Sequence, residues 1–458
     1  MRSRVILTAI LLPIAWLAIP IQSLHPPASP VAQQSSASGS APSLAKFYVA
    51  PDLARLEQWS PSPEDENFLD ELQYRSFLYF WETANPENGL IPDRSKADGS
   101  ALGDVASTAS VGFGLTALCI GVERQWVSRE AAYERALTTL RFFADKIPNE
   151  RGFYYHFLDI KTGRRVWDSE LSSIDTWMLL SGVLTVKNYF HDAELERLAD
   201  LLYDRVDWQW MTNQGPTLTM GWMPETGFLT ARWNGFSEHL AMNLMAIGSR
   251  THPLSPDAWQ AWNRSEALTP YQNSVYLQYP PLFVHQFSQA WIDFRGKRDG
   301  SADYWMNSRV ATLAHIDFCD SLKGRFPAYG KMWGITASDG PKGYVDWGGP
   351  PVGKNRVPDP RIDGTVVPCA AAGSIPFAPK ECISNLRTIK SAAGDKIYKK
   401  YGFVDAFNPQ TGWVGSDVIG IDLGITLVMA ENYRTGFVWR TFMANPEVPA
   451  ALKAAGFM

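Results

Sequence analysis

The chain has 458 residues, of which 45% are hydrophobic and 19% charged, a composition typical of a soluble globular protein with a large core. Its formal net charge is −5 and it contains no run of lysine or arginine, which argues against a nucleic acid as partner. Aromatic residues make up 13% of the sequence, and many tryptophans stand beside Gly, Asn, Asp or Glu. Rings in that setting are typical of loops around a pocket.

Residues 1–24 predict a secretory signal peptide, because two arginines precede an apolar run that ends at Ile21. No clear small-residue cleavage site follows, so a retained N-terminal anchor is the alternative. Residues 25–50 are rich in Ser, Ala and Pro and predict a disordered spacer, which leaves 51–458 as the folded domain. We therefore expect a periplasmic or secreted protein, with membrane contact only if the N-terminal segment is retained.

After the spacer, apolar residues recur with the period of amphipathic helices, and only two regions, near 152–159 and 218–229, predict short strands. About a dozen helices without a fixed repeat favour an all-α fold, the (α/α)6 barrel, in which six helical hairpins form two concentric rings. The Gly- and Pro-rich region 323–381 is predicted to be a long loop on the rim. The predicted helices span 63–82, 105–122, 129–146, 170–189, 193–205, 236–248, 255–263, 282–294, 303–320, 383–392 and 418–433.

The four cysteines do not indicate a metal site, because no Cys or His spacing resembles a zinc motif. Cys119 lies in an apolar helical pattern and is expected to be a buried thiol. Cys369 and Cys382 flank a Gly- and Pro-containing loop, and a disulfide between them is one possibility after export. The chain also lacks a phosphate-binding loop, a dinucleotide fingerprint and a calcium loop, so neither a metal nor a cofactor is expected.

Glu238 is the first candidate for catalysis, because it stands between aromatic residues and an apolar helix. An acid in the first turn of a helix commonly only complements the helix dipole. The neighbouring Trp233 and Phe236, however, favour partial desolvation, which would raise the pKa of the carboxyl towards that of a general acid.

Two further acidic blocks are candidates. Glu170 and Asp175 flank two serines before an apolar helix, and either acid could be no more than a capping partner. Asp422 stands between two glycines that permit close backbone approach. Glu431, later in the same predicted helix, could equally form a surface ion pair with Arg434.

Polar and aromatic residues elsewhere are candidates for substrate binding, because sugar hydroxyls need polar partners and pyranose faces stack on flat rings. For His285, a hydrogen-bonded core histidine is the more common alternative. The substrate-binding candidates are Asp93, Arg94, Trp233, His285, Gln286, Asp293, Arg295, Trp333, Asp405 and Glu431.

Carboxylates among aromatic rings indicate a glycoside hydrolase, in which one carboxyl donates a proton and another activates water or attacks. The catalytic candidates are Glu238, Asp422, Glu170 and Asp175. A polysaccharide lyase and a non-catalytic glycan-binding protein are the alternatives. The partner is an oligo- or polysaccharide in each case, and we expect a monomer.

Motifs along nearly the whole folded region resemble the bacterial glucoamylase-like family, which includes the endo-β-1,2-glucanases of glycoside hydrolase family 144. The motifs are FWE at 80–82, GLIPDR at 89–94, STASVGFGLT at 107–116, YHFLD at 155–159, ELSSIDT at 170–176, GWMPE at 221–225, TASDGP at 336–341, GSIPFAP at 373–379, DAFN at 405–408 and ENYRTG at 431–436.

The resemblance implies an (α/α)6 barrel, export and anomer-inverting hydrolysis of β-1,2-glucan. It implies that Glu238 is the general acid, that Asp422 occupies the place of a base, and that Glu170 and Asp175 line the cleft. The chain departs from the family pattern where Phe236 replaces a tyrosine, where Gln289 replaces a histidine, and at 423–425, where Leu-Gly-Ile replaces Gln-Gly-Pro. The last change removes a polar partner beside the expected base.

Overall fold

The computed structural model describes residues 59–352 and 357–458, so the predicted signal peptide and spacer lie outside the described residues. Helices dominate this part of the chain, and among its helices none is both long and apolar enough to cross a bilayer. The helices are α1 Pro63–Thr83, α2 Thr108–Glu123, α3 Arg129–Asp145, α4 Ser173–Phe190, α5 Ala193–Asp204, α6 Trp208–Met211, α7 Leu240–Ile247, α8 Tyr304–Ser321, α9 Pro368–Ala372, α10 Pro379–Ala393, α11 Gly420–Arg434, α12 Phe437–Met443 and α13 Glu447–Ala454.

The strands are two to four residues long and all of their pairings are antiparallel. The largest sheet has the order β3-β4-β6-β7-β8, and the other strands pair two by two. The strands are β1 Arg94–Lys96, β2 Val105–Ser107, β3 Asn149–Glu150, β4 Phe153–Tyr155, β5 Phe157–Asp159, β6 Leu171–Ser172, β7 Gly221–Met223, β8 Gly227–Phe228, β9 Leu268–Tyr271, β10 Ser274–Leu277, β11 Ala337–Gly340, β12 Gly343–Asp346, β13 Tyr398–Lys399, β14 Gly402–Phe403, β15 Phe407–Asn408, β16 Trp413–Val414 and β17 Asp417–Ile419.

Most of the predicted helices are confirmed, and side-chain caps explain where several begin. The Ser62 hydroxyl accepts a hydrogen bond from the backbone N–H of Asp65, whose carboxylate bonds back to Ser62, which forms a complete capping box. Ser107 caps α2 and Ser172 caps α4 in the same way through their hydroxyls.

Two predicted helices, 255–263 and 282–294, are wrong. The first contains only the 3-10 turn Pro256–Trp259, and the second contains two such turns, Leu282–His285 and Phe287–Gln289. In the second segment nearly every residue is buried, polar ones included, so the apolar pattern does not mark one helical face. Buried polar side chains there bond to distant backbone groups instead.

Helices α2 and α4 pack backbone to backbone. A Cβ at Gly112 would lie 2.1 Å from the carbonyl oxygen of Met178, and one at Gly182 would lie 2.1 Å from the carbonyl oxygen of Gly112. Only glycine fits at these two positions.

Helix α11 packs against α2 in the same sense, because Gly420 faces Ser110 and Gly424 faces Phe113. Since Gly112 of α2 also faces the early turns of α4, the three helices α2, α4 and α11 run in one direction and begin at the same end of the molecule. Asp175 and Asp422, in the first turns of α4 and α11, lie at that end.

Candidate active site

Three of the candidate acids lie at helix beginnings. Asp175 and Asp422 occupy the first turns of α4 and α11, and Glu238 lies two residues before α7. The free backbone N–H groups of a helix N-terminus favour the charged form of a carboxyl, whereas burial disfavours it. The balance between these two effects differs from one acid to the next, so the acids differ in how their pKa values shift.

His156, between β4 and β5, joins Glu170 to Asp175. Its Nδ1 lies 3.2 Å from Oε1 of Glu170, and its Nε2 lies 3.6 Å from Oδ1 of Asp175. The ring also stacks on Phe157 at 3.8 Å between centroids. Burial opposes the charged imidazolium, but the charges of Asp175 and Glu170 outweigh it and raise the pKa of His156 to about 9.

The pKa values of the two acids on His156 shift in opposite directions. Although burial acts against it, the hydrogen bond from His156 holds the pKa of Glu170 below its usual range. Burial raises the pKa of Asp175 in spite of His156 and of the Ser172 hydroxyl, which donates to Oδ2 of Asp175 at 2.5 Å. The ligand atoms of His156, Glu170 and Asp175 lie within 4.8 Å of one another, a spacing that could hold a cation. A metal ion would first have to displace the proton from His156.

Glu238 is half-buried beside Asp175. Burial raises the pKa of Glu238 and the negative charge of Asp175 adds to it, while a hydrogen bond from Ser237 acts the other way. Below it, the indole Nε1 of Trp233 donates to the Ser173 hydroxyl at 2.9 Å. Trp233 therefore connects the segment of Glu238 to the start of α4. Its ring is buried, so a sugar cannot stack on it.

Asp93 and Arg94 reach the same end of the molecule because β1 pairs with β17, which leads directly into α11. The guanidinium of Arg94 donates to Oδ2 of Asp93 at 3.0 Å and to Oδ1 of Asp339 at 2.8 Å. Burial is the main cause of the raised pKa of both Asp175 and Asp422, and the negative charge of Asp93 also raises both. Asp93 is therefore near enough to both acids for its charge to affect them.

Asp405 and Asp422 form a buried carboxyl pair. Burial raises the pKa of Asp422 to about 6, against hydrogen bonds from Asp405 and from the thiol of Cys369. Burial raises the pKa of Asp405 well above its usual range, and the charges of Asp422 and Asp339 add to the effect. Both shifts act against two negative charges in this pair.

Glu238, Asp175, Glu170, Asp93 and Asp422 form a cluster in which each acid affects the pKa of a neighbour, and we call this cluster the acidic cleft. Two half-exposed tyrosines border it. Loss of hydration raises the pKa of Tyr279, to which the charge of Glu238 adds. The same cause raises the pKa of Tyr344, on β12, followed by the charges of Asp422 and Asp405.

Glu431 does not lie in the acidic cleft, which corrects its prediction as a substrate ligand. It follows Asp422 by nine residues on α11, which corresponds to about 13 Å along the helix axis. Its side chain is 1% exposed and accepts hydrogen bonds from Gln73 and Arg124. Its ion pair with Arg124 ties α11 to the end of α2, and the hydrogen bond from Gln73 ties α11 to α1.

Asp293 and Arg295, which were also predicted to bind substrate, lie outside the acidic cleft. They bond to each other at 2.8 Å, and the guanidinium of Arg295 lies over the ring of Trp439 in α12. Arg295 approaches Gly436, beyond the C-terminal end of α11, whereas Asp422 lies at its N-terminal end. The pair is thus at the opposite end of the helix from the acidic cleft.

Three other predicted substrate ligands are buried and bond to other groups of the protein, so they are not available to a sugar. They are His285, Gln286 and Trp333. Nε2 of His285 lies 3.0 Å from Gln278, and burial lowers the pKa of His285 to about 3, which leaves it neutral. The Gln286 amide donates to the carbonyl of Ala370 at 2.9 Å. Trp333 is held through its backbone, which exchanges two hydrogen bonds with Asn385.

The four cysteines are free and buried, which confirms the prediction for Cys119 and makes the possible disulfide between Cys369 and Cys382 wrong. Cys382 points into the core from α10. Cys369, in α9, instead hydrogen-bonds Asp422.

His156, Asp339, Tyr344 and Cys369 are the cleft groups that sequence reasoning did not select. His156 could have been selected from the sequence, because it is a polar residue within the YHFLD motif and lies between two short strands. Asp339 and Tyr344 lie on the β11–β12 hairpin within the region predicted as a rim loop, and nothing local in that region indicates which side chains turn towards the acids.

The ion pairs of His156 predict a specific pH dependence of stability. Because the pKa rises from 6.5 to about 9 on folding, the stabilisation is fully present below pH 6.5 and is lost as the pH rises to about 9. We expect His156→Gln to lower the unfolding temperature at pH 6 and to differ less from the wild type at pH 9. His252→Gln, on a surface loop, is the control. A deficit in the His156 variant that is independent of pH would contradict the prediction.

Comparison with known proteins identifies relatives over most of the chain. Residues 230–446 match the Glycoamylase family model, described as "Putative glucoamylase". The exo β-1,2-glucooligosaccharide sophorohydrolase (non-reducing end) of Parabacteroides distasonis is 28% identical over 433 residues, which cover 85% of this chain. The chain spans only 58% of the length of that curated relative.

Solved structures agree with this assignment. The endo-β-1,2-glucanase of Chitinophaga pinensis, in complex with sophorotriose and glucose, is 28% identical with a TM-score of 0.78, and the match covers 87% of this chain and 99% of that one. A "putative glucoamylase" from Bacteroides fragilis is 31% identical, with the same TM-score and the same coverage. With identity at this level over nearly the whole of that protein, the chain belongs to the glucoamylase-like family.

Proposed function

We propose that this protein is a glycoside hydrolase that cleaves β-1,2-glucan with inversion at the anomeric carbon. The observation that carries the proposal is the acidic cleft, in which Glu238 and Asp422 are linked through Asp175 and Asp93. Burial raises the pKa of both carboxyls, and different neighbours modify the two shifts, Ser237 and Asp175 at Glu238, and Asp405 and Cys369 at Asp422. The activities named for the sophorohydrolase and the endo-β-1,2-glucanase support β-1,2-glucan as the substrate.

Glu238 is the proposed general acid. Burial and the neighbouring charge of Asp175 both favour its protonated form, which is the form needed to protonate a departing glycosidic oxygen. When the proton leaves, the resulting carboxylate is stabilised by the hydroxyl of Ser237.

Asp422 is the proposed general base. With a pKa of about 6 it is ionised at neutral pH yet basic enough to accept a proton from the attacking water. Inverting enzymes separate their two carboxyls by roughly 6.5–9.5 Å, or by more when a substrate hydroxyl relays the proton. The two carboxyls have different acidic neighbours, Asp175 at Glu238 and Asp405, Asp339 and Asp93 at Asp422, which is compatible with such a separation.

The remaining cleft groups are assigned to substrate binding. Glu170 and Asp175, held by His156, are placed to accept hydrogen bonds from sugar hydroxyls. Asp93 can also accept them, and the guanidinium of Arg94 can donate to a sugar oxygen. The half-exposed rings of Tyr279 and Tyr344 offer apolar faces to the sugar. A lyase would instead need a basic cleft, and this one holds mainly carboxylates.

The proposal extends to architecture and location. The common direction of α2, α4 and α11, together with the contacts of α11 with α1 and of α4 with α5, supports the inner and outer rings of an (α/α)6 barrel. Export to the periplasm or beyond is proposed from the N-terminal sequence alone, and a monomer is proposed as the working form.

The test is a panel of linear glucans with β-1,2, β-1,3, β-1,4 and α-1,4 linkages. We expect saturated reducing sugars from β-1,2-glucan alone, and proton NMR during the reaction should show the α-anomer first. Release of sophorose alone would indicate exo action, whereas a range of lengths would indicate endo action. Unsaturated products would identify a lyase, and binding without any product would identify a glycan-binding protein; either result overturns the proposal.

A further inference from the structure

The Asp405–Asp422 pair has an arrangement that a general base alone does not require. Asp405 is 4% exposed and Asp422 is 8% exposed. Oδ1 of Asp405 and Oδ2 of Asp422 are both buried without any hydrogen-bond donor from the described residues. Arg94, the nearby cation, is engaged by Asp93 and Asp339 instead. Two buried carboxylates in this setting would each lack a partner, at a high cost in free energy.

The hydrogen bonds around the pair distinguish its two members. The backbone N–H of Asp339 donates to Oδ2 of Asp405 at 2.6 Å, which leaves Oδ1 as the atom that needs a proton. Asp422 has the thiol of Cys369 as a neighbouring donor that acts against the rise in its pKa, so its charged form is the better supported of the two. A proton on Oδ1 of Asp405 would satisfy both unpartnered oxygens with a single hydrogen bond.

We infer that Asp405 carries the proton of this pair and donates it in a hydrogen bond to Asp422, so that Asp405 is the positioning residue that keeps the general base ionised and oriented. The role of Asp422 as the base rests on the proposed function, whereas the location of the proton does not. The charged and titratable groups around the pair are Asp93, just before β1, Arg94 from β1, Asp339 from β11, Tyr344 from β12 and Cys369 from α9.

Asparagine at 405 reproduces the proposed hydrogen bonds, because its oxygen can accept from the Asp339 N–H and its amide N–H can donate to Asp422. We therefore expect Asp405→Asn to retain kcat to within about tenfold. Asp405→Ala removes the donor and lets Asp422 move, so we expect a loss of about 100-fold. In the Asn variant the acidic limb of the pH–rate profile should stay near its wild-type position, because the amide N–H still donates to Asp422, whereas in Asp405→Ala it should move to higher pH, because the hydrogen bond that lowers the pKa of Asp422 is lost.

Two measurements test the location of the proton without any substrate. Infrared spectroscopy at pH 8 should show a protonated-carboxyl stretching band in the wild type that loses intensity in Asp405→Asn. The second measurement is the pH dependence of the unfolding temperature. The pKa of Asp405 is raised on folding, so the folded state binds a proton that the unfolded state has released, and stability falls as the pH rises above about 4. Asn at 405 lacks this dependence, so the variant should gain unfolding temperature relative to the wild type between pH 4 and pH 8.

Asp320→Asn, at an exposed aspartate near the end of α8, is the matched control and should leave the infrared band, the stability difference and the pH–rate profile unchanged. An undiminished band in Asp405→Asn, or a stability difference independent of pH, would overturn the inference. If the wild type does not cleave β-1,2-glucan, the proposed function fails while the infrared and stability results still decide where the proton lies.

Discussion

Replacing Glu238 by glutamine should lower kcat on β-1,2-glucan by about 1,000-fold or more while leaving the fold intact, because general acid catalysis contributes roughly 10²–10⁴-fold. Glutamine has nearly the same shape and can still accept the hydrogen bond of Ser237, but it has no proton to give. Its burial costs less than that of a carboxylate, so the unfolding temperature should not fall.

The pH profile and the leaving group make this test specific. Glu238 must be protonated to act and its pKa is raised, so wild-type kcat/KM should fall as the pH rises through that pKa, and the variant should lack this basic limb. A substrate with an activated aryl leaving group needs little protonation and should lose much less activity in the variant. Glu266→Gln, at an exposed glutamate, is the control. Equal losses on both substrates would remove Glu238 from the acid role.

Replacing Asp422 by asparagine should also reduce kcat by about 1,000-fold, because the attacking water then has no base. In the wild type the base must be ionised and has a pKa of about 6, so kcat/KM should fall as the pH drops through that value. Asparagine can still accept the hydrogen bond from Cys369, so the loss should be in kcat and not in folding.

Azide provides a positive readout for the Asp422 variant. The anion needs no base to attack, so added azide should restore turnover and yield a glycosyl azide of inverted configuration. The same addition should not rescue Glu238→Gln on the natural glucan, where the proton donor is missing. Activity within tenfold of the wild type, or no azide product, would indicate that another carboxylate of the cleft, such as Asp175, is the base.

Helix positions were predictable from local sequence, because the information that fixes them is local. Serine or aspartate caps and the period of apolar residues set the beginnings of α1, α3 and α5 within a few residues. The segment 282–294 lacked such information, since its residues are buried on all sides and its polar groups bond to residues distant in sequence.

The candidate site was predictable only in part, for a related reason. Glu238, Asp175 and Asp422 could be predicted as site residues, because each stands near aromatic residues or glycines in a short motif. The partnership of Asp405 with Asp422 and of Arg94 with Asp339 depends on approaches between distant segments, which no local pattern encodes. The position of Glu431, by contrast, could have been excluded from sequence, because nine residues of helix separate it from Asp422 by more than two turns.

The glycine contact between α2 and α4 determines where the protein can adapt to different sugars. Main chain touches main chain at Gly112 and Gly182, so these two helices cannot slide or separate without opening a gap that no side chain can fill. The wall that carries Asp175 is therefore rigid. Any widening needed by a longer or branched glycan must come from the opposite wall, where the short β11–β12 hairpin carries Tyr344, and sequence variation in that hairpin should tune substrate length without disturbing the catalytic acids.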